Sequence, residues 1–178
     1  MRRVMVVDTS RCVGCEACVL ACKNENRVPS GKYRDWVVQE SRGEFPNLSL
    51  EIRSERCNHC SDAHCVSNCP TGSSWYRYDG TVQIERSKCT GCKACIASCP
   101  YGARYVNPQE GFVDKCTLCV HRLDRGQPTA CQEVCPTSAI VVGDADDPRS
   151  EVSVMLRRGT AHVVSPEAAT KPNVFYVR

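Results

Sequence analysis

The chain has 178 residues, with 23 Lys and Arg against 20 Asp and Glu, and only 6% of its residues are aromatic. That length suits one or two small domains, and three Phe with two Trp leave a thin apolar core. The basic residues are scattered instead of gathered on one stripe, which excludes nucleic acid as a partner. No run approaches the about eighteen apolar residues of a membrane-spanning helix, so no transmembrane segment is expected.

Taken in order, Val4 to Thr9 reads as a strand that delivers a first cysteine group, Cys12, Cys15, Cys18 and Cys22. Residues 23–56 are punctuated by Pro and Gly and hold two strand-like pieces, Trp36 to Glu40 and Leu48 to Ile52. A second group, Cys57, Cys60, Cys65 and Cys69, precedes an expected hairpin in which Trp75 to Tyr78 faces Thr81 to Ile84 across Asp79-Gly80. A third group, Cys89, Cys92, Cys95 and Cys99, repeats the first. A fourth, Cys116, Cys119, Cys131 and Cys135, leads into a strand from Ala139 to Gly143. The stretches ending at Cys22, Cys69, Cys99 and Cys135 read as helices of one or two turns. Residues 144–178 form a tail with a helix near 149–158 and an extended end from Asn173 to Val177.

The sixteen cysteines carry the functional signal. Groups one and three are near-copies, Cys12-Val-Gly-Cys15-Glu-Ala-Cys18-Val-Leu-Ala-Cys22 and Cys89-Thr-Gly-Cys92-Lys-Ala-Cys95-Ile-Ala-Ser-Cys99. Their C-x2-C-x2-C-x3-C spacing is that of bacterial ferredoxins, where three thiolates wrap one corner of a [4Fe–4S] cubane and the fourth reaches a neighbouring cluster. The other two groups keep the opening C-x2-C and the closing C-x3-C, so four [4Fe–4S] clusters held by all sixteen cysteines are expected. Pro70, Pro100 and Pro136 follow the fourth cysteine of three groups. Lacking an N–H and fixing φ, each turns the chain off its short helix; the first group has Lys23 instead. Gly14 and Gly91 stand where the backbone is expected to approach sulfide closely.

Two other chemistries use dense cysteines. A disulfide framework fits poorly with three cysteines crowded at C-x2-C-x2-C spacing, and Met1 to Asp8 has no apolar stretch of signal-peptide length. Cys116 to Cys135 alone would read equally well as a zinc site; the two ferredoxin-type quartets decide for iron. An oxidised cluster with its thiolates carries about −2, so four of them turn the formal charge of +3 into roughly −5. Cluster binding is also expected to supply folding energy that the thin core does not, leaving apo-protein disordered or molten.

Lys23, Lys93 and Lys115 adjoin ligands, where positive charge would raise a cluster's potential; at least two of the three are expected to be solvated. His59 and His64 lie between ligands, but four cysteines per cluster leave no ligand position for them. Trp75, Tyr101 and Tyr105 are expected to pack around clusters. The pattern as a whole is α+β, a duplicated bacterial-ferredoxin-like fold. One module comprises 1–22 plus 107–143 and the second 57–106, each holding two clusters. An inserted β segment at 23–56 and a C-terminal docking tail at 144–178 are read as subunit-docking surfaces, since a free electron carrier has little use for either.

The order and spacing of all four groups resemble the iron–sulfur subunit of membrane-associated molybdopterin oxidoreductases of the dimethyl-sulfoxide-reductase superfamily. The short form found in polysulfide, thiosulfate and tetrathionate reductases is the most similar. The likeness extends to Phe45-Pro46-Asn47, to Cys99-Pro100-Tyr101-Gly102-Ala103-Arg104-Tyr105, and to Lys115-Cys116-Thr117-Leu118-Cys119. It also includes His121-Arg122-Leu123 and Gly143-Asp144 with Asp147-Pro148.

The resemblance implies cross-ligation. Cys12, Cys15 and Cys18 would share a cluster with Cys135, and Cys116, Cys119 and Cys131 one with Cys22. Cys57, Cys60 and Cys65 would share one with Cys99, and Cys89, Cys92 and Cys95 one with Cys69. It implies a non-catalytic electron-transfer subunit, its Cys12 cluster facing a molybdopterin (Mo or W) catalytic subunit. Its Cys89 cluster would face a polytopic membrane anchor that exchanges electrons with quinone. Such a subunit is peripheral on the cytoplasmic membrane, on the periplasmic face when exported with a partner that bears the signal, or else on the cytoplasmic face. A formate dehydrogenase or hydrogenase subunit is the alternative, although many formate dehydrogenase subunits carry a C-terminal membrane helix that Arg149 to Arg178 lacks. A zinc-held structural module is the third reading.

Overall fold

The computed structural model describes residues 1–158 and 161–178, so residues 159 and 160 of the expected tail lie outside the described residues. The first half of the chain contains β1 (Arg3–Asp8), α1 (Ala17–Asn26), β2 (Asp35–Arg42), β3 (Ser49–Arg56), α2 (His64–Ser67), β4 (Ser74–Tyr76) and β5 (Val82–Ile84). The second half contains α3 (Ala94–Ala97), β6 (Tyr105–Val106), β7 (Val113–Asp114), α4 (Val120–Leu123), α5 (Ala130–Glu133), β8 (Ile140–Asp144), α6 (Glu151–Arg157) and β9 (Val174–Val177).

The continuous apolar run Val4-Met5-Val6-Val7 makes β1 a strand covered on both faces, as a central strand must be. It pairs antiparallel with β8 (Val6 opposite Val141) and parallel with β9 (Val6 opposite Phe175). Because strand side chains alternate between faces, Met5, Val7, Ile140, Val174 and Tyr176 face one way, against Cys18, Val19, Leu118 and Cys131. Val4, Val6, Val141 and Val177 face the other way, onto Val152 of α6. The C-terminal segment, read from the sequence as a docking tail, also packs into the core. Its helix and strand bury Val152, Val174 and Tyr176 to 1% exposure or less, so these apolar side chains close the core instead of offering it to a partner.

The segment 23–56 folds as a long antiparallel hairpin, Asp35 opposite Arg56 through Arg42 opposite Ser49. Residues 39–50 at its outer end are exposed, while the inner end buries Asp35, Ser54 and Arg56. The β4–β5 hairpin pairs Tyr76 with Val82, not Tyr78 with Thr81 as a two-residue Asp79-Gly80 turn would require. The buried Asp79 carboxylate accepts from the Thr81 N–H (3.1 Å) and hydroxyl (2.7 Å). These bonds draw Thr81 to the loop side, giving a three-residue loop, the next most common hairpin connection. β6 and β7 form a further hairpin, Tyr105 opposite Asp114; the expected module boundary between 106 and 107 falls inside it, so the two modules share this element.

Candidate metal centre

The two near-copy loops have near-identical backbones. Gly14 and Gly91 lie at φ 69° and 68°, and Glu16 and Lys93, directly before α1 and α3, at 58° and 65°. Left-handed residues at these two places curl the loop so that three sulfurs face inward. The glycines also meet a constraint from the protein itself. A Cβ on Gly91 would lie 2.7 Å from the Gly111 carbonyl oxygen, and one on Gly14 would lie 3.1 Å from Ile52 Cγ2. The helices after the loops differ. α3 ends at Ala97, before Pro100, whereas α1 continues past Cys22 to Asn26 because Lys23, unlike proline, keeps its N–H in the helical ladder.

The fold gathers the cysteines into four quartets. Cys12, Cys15, Cys18 and Cys135 line one recess; Cys22, Cys116, Cys119 and Cys131 line a second. Cys69, Cys89, Cys92 and Cys95 line another, closed by Pro70, Thr71 and Arg104. Cys57, Cys60, Cys65 and Cys99 make up the last, with the Cys60 thiol sensing the charge of the other three. The helices fix the order of the quartets, because each holds one cysteine with a second a turn further on, inside α1 and just past the end of α2, α3 and α5, and the two point to adjacent recesses. α1 links the first quartet to the second through Cys18 and Cys22, as α5 does through Cys131 and Cys135. α2 and α3 likewise join the Cys57 and Cys69 quartets. Cys57 and Cys116 pack in one apolar cluster with Ala103, which joins the middle two. The result is a row, with an exposed cysteine only in the two end quartets, Cys15 and Cys92, and all four of the Cys22 quartet buried.

Backbone N–H groups aim at sulfur. Ala139 donates to Cys135 Sγ (3.3 Å), and Ser74 to Cys69, Val113 to Cys89 and Leu118 to Cys116 at 3.4 Å. Burial raises Cys69 and Cys135, but the N–H donors and the hydroxyls of Thr71 and Thr137 bring both below the ordinary thiol value. Elsewhere burial dominates: it pushes Cys116 up to about 12, Cys18 and Cys60 up to about 11, and Cys22 higher still. Such sites deprotonate only when a cation replaces the proton, which is how a cluster's iron would be held.

Buried polar side chains surround the row. Arg34 is paired twice with Asp114, at 2.7 and 3.0 Å, and Tyr105 donates to the same carboxylate at 2.5 Å. Arg56 is paired with Asp35 at 2.9 Å, and Ser54 bridges Asp35 to Cys18 Sγ, 3.3 Å away. Arg104 donates to Cys65 Sγ (2.8 Å) and Ser74 Oγ (2.9 Å). None of Asp35, Ser54, Arg56 or Arg104 is legible as a site residue in the sequence. Thr71 and Thr137 left a trace, since Cys-Pro-Thr occurs in both of their groups.

The three lysines differ from expectation, for only Lys93 is exposed. Lys23 donates to the carbonyls of Pro29 and Lys32, holding the loop after α1. Lys115, 1% exposed, donates to the carbonyls of Val82 and Cys116. His59 is buried and accepts from the Val82 N–H at 3.1 Å, while His64 is exposed at the start of α2. Burial, with Lys115 and Arg104 nearby, lowers His59 well below the usual imidazole range and keeps it neutral. Tyr101 packs beside Cys57 and Cys99, with its hydroxyl on Thr170, and Trp75 is 41% exposed.

Two family models, each for a 4Fe-4S dicluster domain, match residues 11–74 and 48–145. A tetrathionate reductase subunit of Salmonella typhimurium is 40% identical over 99% of this chain and 72% of its own length. This protein belongs to the iron–sulfur subunits of the dimethyl-sulfoxide-reductase superfamily. A polysulfide reductase subunit of Wolinella succinogenes is also 40% identical, over 97% of this chain and 92% of its own. Protein NrfC of Escherichia coli reaches the same 40% over 99% and 81%. Four [4Fe–4S] clusters are the cofactors of this iron–sulfur subunit, and its function is to relay electrons within a reductase complex. The residues fit that cofactor: the donors are thiols alone, N–H groups point at sulfur, and two buried Arg104 nitrogens find no protein partner among the described residues. Among those residues, too, no helix is long and apolar enough to cross a membrane.

Proposed function

We propose that the chain is a non-catalytic wire between a molybdopterin (Mo or W) subunit and a quinone-reactive membrane anchor, with ligands shared across groups. Cys135 completes the cluster of Cys12, Cys15 and Cys18, and Cys22 that of Cys116, Cys119 and Cys131. Cys99 completes that of Cys57, Cys60 and Cys65, and Cys69 that of Cys89, Cys92 and Cys95. Residues 1–22 with 107–143 form one two-cluster module and 57–106 the other. The observation that carries this reading is the row of quartets with a single exposed cysteine at each end, Cys15 and Cys92. A row open at both ends and buried between them suits passage of electrons through the protein better than exchange at one face.

The clusters supply one-electron chemistry; the chain's residues set spacing, exclude water and direct N–H groups and charge toward sulfur. Around Cys15 the surface offers Val13 (60% exposed) and Leu20 (67%), and the hairpin tip adds Phe45 (88%) and Leu48 (61%). These residues support docking of the catalytic subunit at that end, with residues 23–56 as the docking segment. Ser74 lines the recess of Cys92, and the next residue, Trp75, is 41% exposed, an aromatic ring with a polar tip suited to a surface beside a membrane subunit. The complex lies peripherally on the cytoplasmic membrane, on its periplasmic face. The relatives named for tetrathionate and polysulfide reductases favour a sulfur-compound reductase.

Metal analysis of the complex captured from native membranes tests the reading. Molybdenum or tungsten beside at least sixteen irons per copy is expected. Nickel, or iron without a pterin metal, would reassign the chain to a hydrogenase-type or free carrier, and zinc without iron would overturn the wire.

A further inference from the structure

Four cationic side chains are buried along the row: Arg34, Arg56, Arg104 and Lys115. Two are matched. Arg34 is paired with Asp114 and Arg56 with Asp35, so each adds little net field beside the Cys22 quartet. The other two are unmatched, for among the described residues neither the Arg104 guanidinium nor the Lys115 ammonium meets a carboxylate, although the Lys115 backbone N–H donates to Asp114. Arg104 reaches Cys65 Sγ at 2.8 Å and lines the recess of Cys69, Cys89, Cys92 and Cys95, so it stands between the two quartets of α2 and α3. Its Nε and Nη1 are buried without a partner among the described residues. Among the described residues the Lys115 ammonium is bonded only to the carbonyls of Val82 and Cys116, and it stands between the Cys57 and Cys22 quartets. The quartet common to both cations is Cys57, Cys60, Cys65 and Cys99.

We infer that this quartet holds the highest-potential cluster of the four, set by Arg104 on one side and Lys115 on the other, and that Arg104 is the principal positioning charge. Reduction adds one electron, drawn from the neighbouring cluster, which loses one. No proton need move, because an arginine stays charged throughout the accessible pH range. A fixed cation in a buried, weakly screened site favours the more negative reduced form more strongly than water does at the exposed Cys15 and Cys92 ends. The chain thus has an electron well near its middle instead of a monotonic slope. This inference rests on the ligand assignment proposed above.

Redox titration of the intact complex, with each cluster followed by its electron paramagnetic resonance signal, tests it. Cys65→Ser should alter the signal with the highest midpoint. Arg104→Gln should lower that midpoint by at least tenfold in the reduction equilibrium, 59 mV for a one-electron couple. The cluster of Cys89 should move less and the other two not at all. Arg104→Lys should restore most of the shift, and Lys115→Met should lower the same midpoint. The inference is overturned if Cys65→Ser alters a lower-potential signal, a result that does not depend on whether the Arg104 variants assemble, or if Arg104→Gln loads iron and moves no midpoint. Fewer than sixteen irons in the native complex would instead count against the ligand assignment.

Discussion

The loops at 12–22 and 89–99 have nearly the same sequence and nearly the same backbone, yet they sit in different surroundings. The first rests on a side chain, Ile52 of the long hairpin, and its helix runs on for four residues beyond Cys22. The second rests on a backbone carbonyl, Gly111 O, and its helix stops ahead of Pro100. The extra turn of α1 carries Glu25, which binds His121 at 2.7 Å and Arg122 at 2.9 Å, and Asn26, whose amide donates to the Cys22 carbonyl at 3.0 Å. A duplicated ligand loop therefore reproduces the geometry that iron demands, while the residues just beyond it determine what the loop leans on.

Removing the iron should erase the difference between the loops, and this is the largest effect expected. Cysteines are themselves members of the apolar clusters, Cys18 and Cys131 under the sheet and Cys57 with Cys116 at the centre. Chelated protein should lose its cooperative melt by circular dichroism; a sharp transition without iron would show that the polypeptide core suffices. Lys23→Pro should then shorten α1 to the length of α3. Loss of the N–H and the ring clash cost about 3 kcal/mol, visible as bleaching of the first loop's cluster at lower urea. Unchanged bleaching would mean that the extra turn is dispensable.

Alanine at the two glycines sharpens the comparison further. Gly91→Ala meets a fixed carbonyl as well as an unfavourable φ and should cost about 3 kcal/mol. Gly14→Ala meets only a methyl group that can turn away, and should cost about 1 kcal/mol. Equal losses of iron retention in the two variants would refute the assigned contacts. The smallest effect belongs to Glu25. Hydrogen bonds from His121 and Arg122 hold its carboxyl below the ordinary value, so its contribution is present above that value and lost as pH falls through the folded one. At this partly exposed, solvent-screened site it is worth less than about 1 kcal/mol. Glu25→Gln should flatten that part of the acid limb of the stability curve, and an unchanged limb would remove the pair from the account.

Much of the fold could be read in advance, because cysteine spacing and strand periodicity are local signals. The apolar runs of β1 and β8, the cysteine-bearing helices and the hairpins all follow from neighbours a few residues apart. The register of β4 and β5 did not, since it depends on one buried carboxylate, Asp79, bonding back to Thr81. The place of the C-terminal strand in the sheet did not either. It joins β1 across the whole length of the chain, and no local pattern announces a parallel partner so distant.

By itself the sequence determined the cofactor chemistry: sixteen thiols at spacings that only clusters use well, and therefore electron transfer. Only the tertiary structure decided how the quartets are ordered, which cysteines reach the surface and where unmatched charge lies. Arg104 reaches sulfur across 39 residues of chain and Arg34 meets Asp114 across 80, and such pairings have no signature along the sequence. Ligand identity is a property of side-chain type and short spacing; the field at each cluster is a sum over everything that folding brings near it.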